Sequence, residues 1–368
     1  MLGFTAAFVR DFYFILMLVL TLMECIKLMS VREIEYKKNK NLSITGLLLT
    51  LFLIFFLGLR PASGRIFIDM TMYIWSYTHN FTSSDPFFNF LSHFFNSLGV
   101  SATGWLLFIE TVYIGCTYLA VTRLFKSYQY VALLFVYTAF SFFSFGVNGM
   151  RNGMAASIML LSFSYLITRK PKDIIFGIIL GLASVGTHKA MLLPFVCSLL
   201  SLFVIKRLRT AVIIYMISIV ISLIFGGAIS EIVSSLAVLG EDEKLYGYLN
   251  PDETFQDRVG FRWDFLIYSV VPIILGYYVE QKEFSEKESK INKRYLFLLN
   301  TYILANSFWV IVIRAYQSNR FAYLSWFIYG LVLSYPLIKL KWKNKNRKIA
   351  LALFGQEAFT MLMFLMGR

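Results

Sequence analysis

The sequence predicts an all-α, polytopic integral membrane protein with about 11–12 transmembrane helices. Three observations carry this. The chain is 58% hydrophobic and only 15% charged over 368 residues, with a mean hydropathy of +0.66, whereas soluble domains are about half apolar and about a quarter charged. Apolar runs of roughly 20 residues recur from end to end, the length at which a helix crosses the hydrocarbon while satisfying its own backbone. Lysine and arginine crowd into every second connection. No connection is long enough for a folded soluble domain, so residues 1–368 are expected to form a single transmembrane domain.

In order, spans are expected at 12–29, 43–60, 103–122, 129–147, 149–168, 173–187, 189–205, 210–228, 262–280, 295–314, 319–338 and 349–366. Glu357 interrupts the last, which is either a span or an amphipathic helix on the surface. The basic connections hold Arg32 to Lys40, Arg123 and Lys126, Arg169 to Lys172, Lys206 to Arg209, Lys282 to Arg294 and Lys339 to Lys348, most of the 35 Lys and Arg. Cytoplasmic loops collect such residues, so these face the cytoplasm and the N-terminus lies outside. The net charge of +14 is thus spent on orientation, and nucleic acid is not an expected partner. Arg10-Asp11 precede a long apolar run with no small-residue cleavage site, so the first helix is expected to be retained. Cys25, Cys116 and Cys197 lie within apolar runs, as small packing residues.

Two outward connections are long. Residues 61–102 contain PFFNFLSHFFNSL, whose Phe87, Phe88, Leu91, Phe94, Phe95 and Leu98 recur at helical spacing and suit a helix lying in the membrane interface. Residues 229–261 are polar, acidic and rich in turn formers and tyrosine. Tyr246, Tyr248 and Phe255 are candidates for stacking on sugars, although tyrosine is common near membrane surfaces.

Arg151 is the only charged residue between Lys126 and Arg169. On this map it lies at the outer surface, within GVNGMRNGM, a glycine- and asparagine-rich turn into a helix. A helix N-terminus beside an arginine suits an anion such as phosphate. The competing account is a turn arginine snorkelling to water, with Gly149 and Gly153 as packing contacts. The other outward cations also stand at helix ends: Arg60 and Arg65, His188 and Lys189, Arg258 and Arg262, Arg314 and Arg320. Arginines converging from rigid helix ends suit a diphosphate.

These residues carry a resemblance. GMRNGMAASIMLLSFSYLITRKPKDIIFGIILGLASVGTHKAMLLP resembles the signature region of the EpsG-type, Wzy-like polysaccharide polymerases, through Arg151, Ala155, the Arg169–Lys172 turn, Ala183, His188 and Ala190. LGLRPASG resembles the family's early Arg-rich segment, and SNRFAYLSWFIYG its late Arg-x-x-x-Tyr segment, giving Arg320. The sequence departs in one place. Where the family has Gly-x-Asp followed by Tyr, this chain has Gly64-Arg65, the nearest acid is Asp69, and Tyr73 stands beyond it.

The resemblance implies a GT-C-like, Wzy-type architecture and a bacterial inner-membrane enzyme. It would transfer a growing glycan from undecaprenyl diphosphate onto the next lipid-linked repeat unit, giving O-antigen, capsule or exopolysaccharide. Chain-length regulators and a flippase are implied partners. The chemistry needs fixed cations for the departing diphosphate, for which Arg151, Arg60 and Arg320 are first candidates, with Arg65 and Arg314 behind them. It needs a base for the acceptor hydroxyl: His188 first, with an ordinary pKa of about 6.5, then Asp69 and Asp264. Glu110, inside a span, needs a partner such as a tyrosine or arginine. No cofactor is expected. The first outer loop has no paired acids, and Glu241, Asp242 and Glu243 read as a solvated run, so a metal is not expected either. The alternatives are a lipid-linked oligosaccharide flippase or transporter, an O-antigen ligase-type enzyme, and a single-sugar transferase.

Overall fold

The structure, a computed structural model, describes residues 3–39, 41–239, 260–282, 285–315 and 318–367. Among these, every regular element is a helix: α1 (Ala6–Ser30), α2 (Glu33–Lys38), α3 (Asn41–Gly58), α4 (Met70–Thr78), α5 (Pro86–Ser97), α6 (Ala102–Leu124), α7 (Gln129–Tyr137), α8 (Phe140–Val147), α9 (Met150–Leu166), α10 (Pro171–Thr187), a 3-10 turn (Lys189–Met191), α11 (Leu192–Phe203), α12 (Leu208–Leu239), α13 (Trp263–Glu280), α14 (Glu286–Ile311), α15 (Ser318–Trp326), α16 (Tyr329–Lys339) and α17 (Lys345–Leu365). Each expected span falls on one of these helices or on a consecutive pair. Among the described residues seven helical stretches are long and apolar enough to cross a membrane, or eight if the bent pair α7–α8 is one span. The protein is an all-α polytopic membrane protein. The remaining expected spans are short, as in the 17-residue α9 and α10, or begin with charged turns, as in α14.

The chain divides into two compact units, Met1–Phe195 with Phe327–Arg368, and Val196–Trp326. In the first, α9 packs between α6 and α10, and α17 lies along α1. The expected span 129–147 is broken: α7 and α8 meet at 69°. A break inside an apolar bundle frees backbone carbonyls that must find donors. Here side chains supply them. Gln356 donates to the Phe135 carbonyl at 2.7 Å, Thr360 to that of Thr138 at 2.8 Å and Tyr13 to that of Tyr137 at 2.5 Å. Gln356 and Thr360 both lie on α17, which therefore packs inward; Glu357 beside them is fully buried.

In the second unit, α14 packs against α12, α13 and α15. Ser269 on α13 is the polar centre there. Its carbonyl accepts from Tyr302, and its hydroxyl from the Trp326 indole, both at 2.8 Å.

Gly330 on α16 sits against the broken helix. A methyl there would stand 2.3 Å from the Phe135 carbonyl oxygen and 2.9 Å from the Val136 Cα. Both are backbone atoms, so α16 must move away from α7. Gly330→Ala is expected to cost about 1–3 kcal/mol, read as a lower thermal unfolding midpoint in detergent. An unchanged midpoint would show that the two helices have slack.

Candidate anion and acid-base site

Three helix ends and one helix face build the site in the first unit. α9 begins where α8 ends: the Asn148 and Gly149 N–H groups both reach the Ser144 carbonyl, at 2.9 and 3.1 Å. Gly149 is the N-cap and Met150 the first helical residue, so Arg151 stands in the first turn of a helix with no side-chain cap. Gly153 lets α8 and α9 close up; a methyl there would lie 2.7 Å from the Phe145 carbonyl oxygen. The Arg151 N–H donates to the Tyr73 hydroxyl on α4 at 3.3 Å.

α10 ends at His188, whose extended backbone breaks the helix before the 3-10 turn begins at Lys189. α5 begins at Asp85-Pro86, with proline at its first position, as its fixed φ favours. Asp85 would ordinarily cap that helix, but it makes no cap bond. Asn89 fixes the approach instead, accepting from the Ser83 N–H at 3.0 Å and donating to the Ser83 carbonyl at 2.6 Å.

The Asp85 carboxylate is the meeting point. Oδ1 accepts the Lys189 N–H at 2.8 Å. Oδ2 lies 2.9 Å from Arg151 Nη1 and 3.4 Å from His188 Nδ1. The Asp85 side chain is 1% exposed, while Arg151 and His188 keep 17% and 21%. Burial works to raise the Asp85 carboxyl; the His188 hydrogen bond, the Arg151 charge and the Lys189 N–H outweigh it and hold the group below its ordinary value. With Asp85 accepting at Nδ1, a neutral imidazole carries its lone pair on Nε2. Arg151 Nε is buried and bonded to no protein group among the described residues, and the guanidinium lies 5.7 Å from the Phe88 ring centroid. The arrangement can therefore offer a cation for an anion and an oriented base beside it.

The expected site residues divide. Arg151 and His188 come together. Arg60 is brought beneath them, 0% exposed, with Nη1 3.0 Å from Glu110 Oε1. Its Nη2 reaches the Val147 carbonyl at 3.3 Å and the Met150 sulfur at 2.8 Å. Glu110 thus has its arginine. Asp69 stands at the N-cap of α4, one turn before Tyr73, and Arg65 is exposed in the preceding turn. Arg314, Arg320 and Asp264 belong to the second unit. There Asp264 pairs with Arg262 at 2.7 Å, Arg314 lies 5.6 Å from the Phe261 ring centroid, and Arg320 is exposed on α15. Tyr246, Tyr248, Phe255, Arg258 and the acidic run from Glu241 lie outside the described residues.

Sequence reasoning missed Asp85. Its signal was an Asp-Pro helix start in the loop holding the aromatic run, but its partners stand 66 and 103 residues away in sequence.

A model of the EpsG family matches residues 43–367, nearly the whole chain. The chain belongs to the EpsG family. Membership suggests a polysaccharide polymerase-type function, acting on lipid-linked glycans in a membrane. No curated protein and no solved structure matches it.

Two predictions follow from this geometry. Removing one partner of a buried ion pair strands the other charge, at about 3–5 kcal/mol. Arg60→Met and Glu110→Gln should each lower the unfolding midpoint strongly, and the double variant should recover part of the loss; additive losses in a double-mutant cycle would deny the coupling. Because the Asp85 carboxyl is depressed in the folded protein, its contribution to stability is complete above the unfolded carboxyl value of about 3.9 and is lost as pH falls through the lower folded value. The stability difference between wild type and Asp85→Asn should stay constant down to about pH 4 and shrink below it.

Proposed function

We propose that this EpsG-family protein is a glycosyltransferase that polymerises undecaprenyl-diphosphate-linked oligosaccharide repeat units into O-antigen, capsule or exopolysaccharide. It works from the outer face of the bacterial inner membrane, with its N-terminus outside. Residues 61–102 form the extracytoplasmic segment that carries α5 in the interface. The observation that carries this reading is the meeting of Arg151, Asp85 and His188 in a chain of this family.

The chemistry follows from the atoms. The acceptor sugar hydroxyl attacks the anomeric carbon of the donor. A new glycosidic C–O bond forms, the bond from that carbon to the diphosphate oxygen breaks, and the electron pair leaves with the diphosphate. Arg151, at the first turn of α9, takes the growing negative charge through donors that Asp85 leaves open. His188 Nε2 takes the hydroxyl proton, its ring oriented through Nδ1 by Asp85. Arg60 acts from below, as the support of the turn that aims Arg151. Arg320, Arg65 and Arg314 remain the further diphosphate candidates, Asp69 and Asp264 the alternative bases, and Tyr246 and Tyr248 the sugar-binding candidates. With a fixed guanidinium at the leaving group, the reaction calls on no metal. Flippase and chain-length regulator are the expected partners.

The test is genetic. The gene is deleted in its host and the surface glycan is resolved on a gel, then restored with wild type, Arg151→Ala or His188→Ala at matched membrane levels. Deletion should leave single repeat units and wild type should restore the ladder. Loss of one charge-stabilising donor costs about 10²–10³ in rate, and loss of a general base about 10²–10⁴, so neither variant should restore it. Absence of both single units and ladder after deletion would point to a flippase, a ligase or an earlier transferase and overturn the polymerase reading. A full ladder from Arg151→Ala would reduce that arginine to a turn anchor.

A further inference from the structure

The two groups assigned to leaving-group stabilisation and to proton removal share a single oxygen. Asp85 Oδ2 is 2.9 Å from Arg151 Nη1 and 3.4 Å from His188 Nδ1. The Arg151 contact is short and charge-assisted, and the His188 contact is long. Both partners meet an ionised acceptor, but only the guanidinium carries a permanent charge, and its contact is the shorter, 2.9 Å against 3.4 Å, so in this state the carboxylate is committed mainly to the arginine. The other oxygen is fixed differently. Oδ1 is held by the Lys189 backbone N–H at 2.8 Å, directly after His188 in the chain. The carboxylate is therefore pinned to the His188 side at one oxygen while the second is divided.

A phosphate anion arriving at Arg151 meets Asp85 as a rival of the same sign. Arg151 Nε, buried with no protein partner among the described residues, is the donor left for the anion, and Nη1 is the donor over which the two compete. The imidazole N–H already stands 3.4 Å from the same oxygen, so it is the group the carboxylate turns to. That turn would strengthen the orienting bond at Nδ1 and make Nε2 the stronger base.

We propose that Asp85 is a positioning residue that exchanges Arg151 for His188 when a diphosphate binds, so that the base reaches full strength only with the leaving group in place. This rests on the reading of Arg151 as the diphosphate cation and His188 as the base. The exchange also accounts for the missing helix cap. A carboxylate bonded to the N–H groups of α5 could not serve both neighbours.

The consequence has an unusual sign. Removing the Asp85 charge should strengthen diphosphate binding while weakening the reaction. The experiment uses the full chain in detergent with farnesyl diphosphate as the probe, read by isothermal titration, together with the glycan ladder from complemented cells. Wild type should bind the probe, and Arg151→Ala should lose binding. Asp85→Asn should bind on the order of tenfold more tightly, since a like charge beside the anion is gone, and should restore little or no ladder. His188→Ala should bind as wild type does and also fail to restore the ladder. Asp85→Glu, which keeps the charge, should not gain affinity, and unfolding midpoints check that each variant is folded.

Equal or weaker binding by folded Asp85→Asn would overturn the exchange, leaving Asp85 as an orienting group alone or as a structural one. A full ladder from Asp85→Asn would overturn it as well. If wild-type binding is absent or indifferent to Arg151, the anion-site reading itself has failed, which is a different result from a failed exchange.

Discussion

The geometry at the helix ends depends on one buried carboxylate. Arg151 and the first turn of α9 both present positive charge, and the end of α10 presents an N–H and an imidazole. None of these would draw the three elements together alone. Asp85, reaching in from the start of α5, gives them a common acceptor, with contacts at 2.8, 2.9 and 3.4 Å. The electrostatic meaning is specific. On the proposed reading, an anionic ligand would not meet a bare cation; it would compete with a carboxylate already in place. The guanidinium keeps donors beyond that contact, because it carries five and Asp85 engages Nη1.

A second, deeper charge pair sets where that cation stands. Arg60 and Glu110 are fully buried, and a buried ion pair contributes little net stability after desolvation. What it contributes here is location. The Arg60 guanidinium spans α3, α6 and the turn into α9, gripping the Val147 carbonyl and the Met150 sulfur. The residue after Met150 is Arg151. Gly153 then lets α9 close on the Phe145 carbonyl. Arg60 and Arg151 are thus both arginines at helix ends with different work: one is sealed in and holds backbone, the other keeps an open edge.

Much of the fold was legible because length and apolarity report directly on membrane spans, and each expected span falls on a helix or a consecutive pair, seven or eight of them long and apolar enough to cross a membrane among the described residues. The sequence could not show that 129–147 bends at Thr138–Ala139, since the side chains that satisfy the freed carbonyls come from Tyr13, Gln356 and Thr360, far away in the chain. The short α2 and α4 carry no span-length signal and were not foreseen. At the site, Arg151 stood out as the lone charge in a long apolar stretch, and His188 as a polar residue at a helix end. Arg60 stood out as another cation at a helix end, and only its contact with Glu110 separates a buried clamp from an exposed cation. Asp85 was hidden, because an Asp-Pro pair before an apolar run looks like an ordinary helix start. Its role is a matter of contacts across 66 and 103 residues of sequence, which local pattern does not encode.

That disguise has a physical basis. An N-cap acid is worth about 1 kcal/mol to its helix, and α5 forgoes it. The helix is held sideways instead. Phe88 and Phe95 pack on Trp105 of α6, with ring centroids 5.4 and 5.7 Å away, and Phe95 lies 4.3 Å from Phe108. Asn96 ties the far end to the Tyr77 carbonyl of α4 at 2.8 Å. Aromatic burial of this kind far exceeds a cap in magnitude, so α5 can leave its first turn uncapped and lend the carboxylate to Arg151 and His188. The aromatic run is therefore more than an apolar face. The inward rings anchor the helix that carries Asp85, while Phe90, Phe94 and Leu98 remain exposed, the apolar side that the proposed interfacial placement would use.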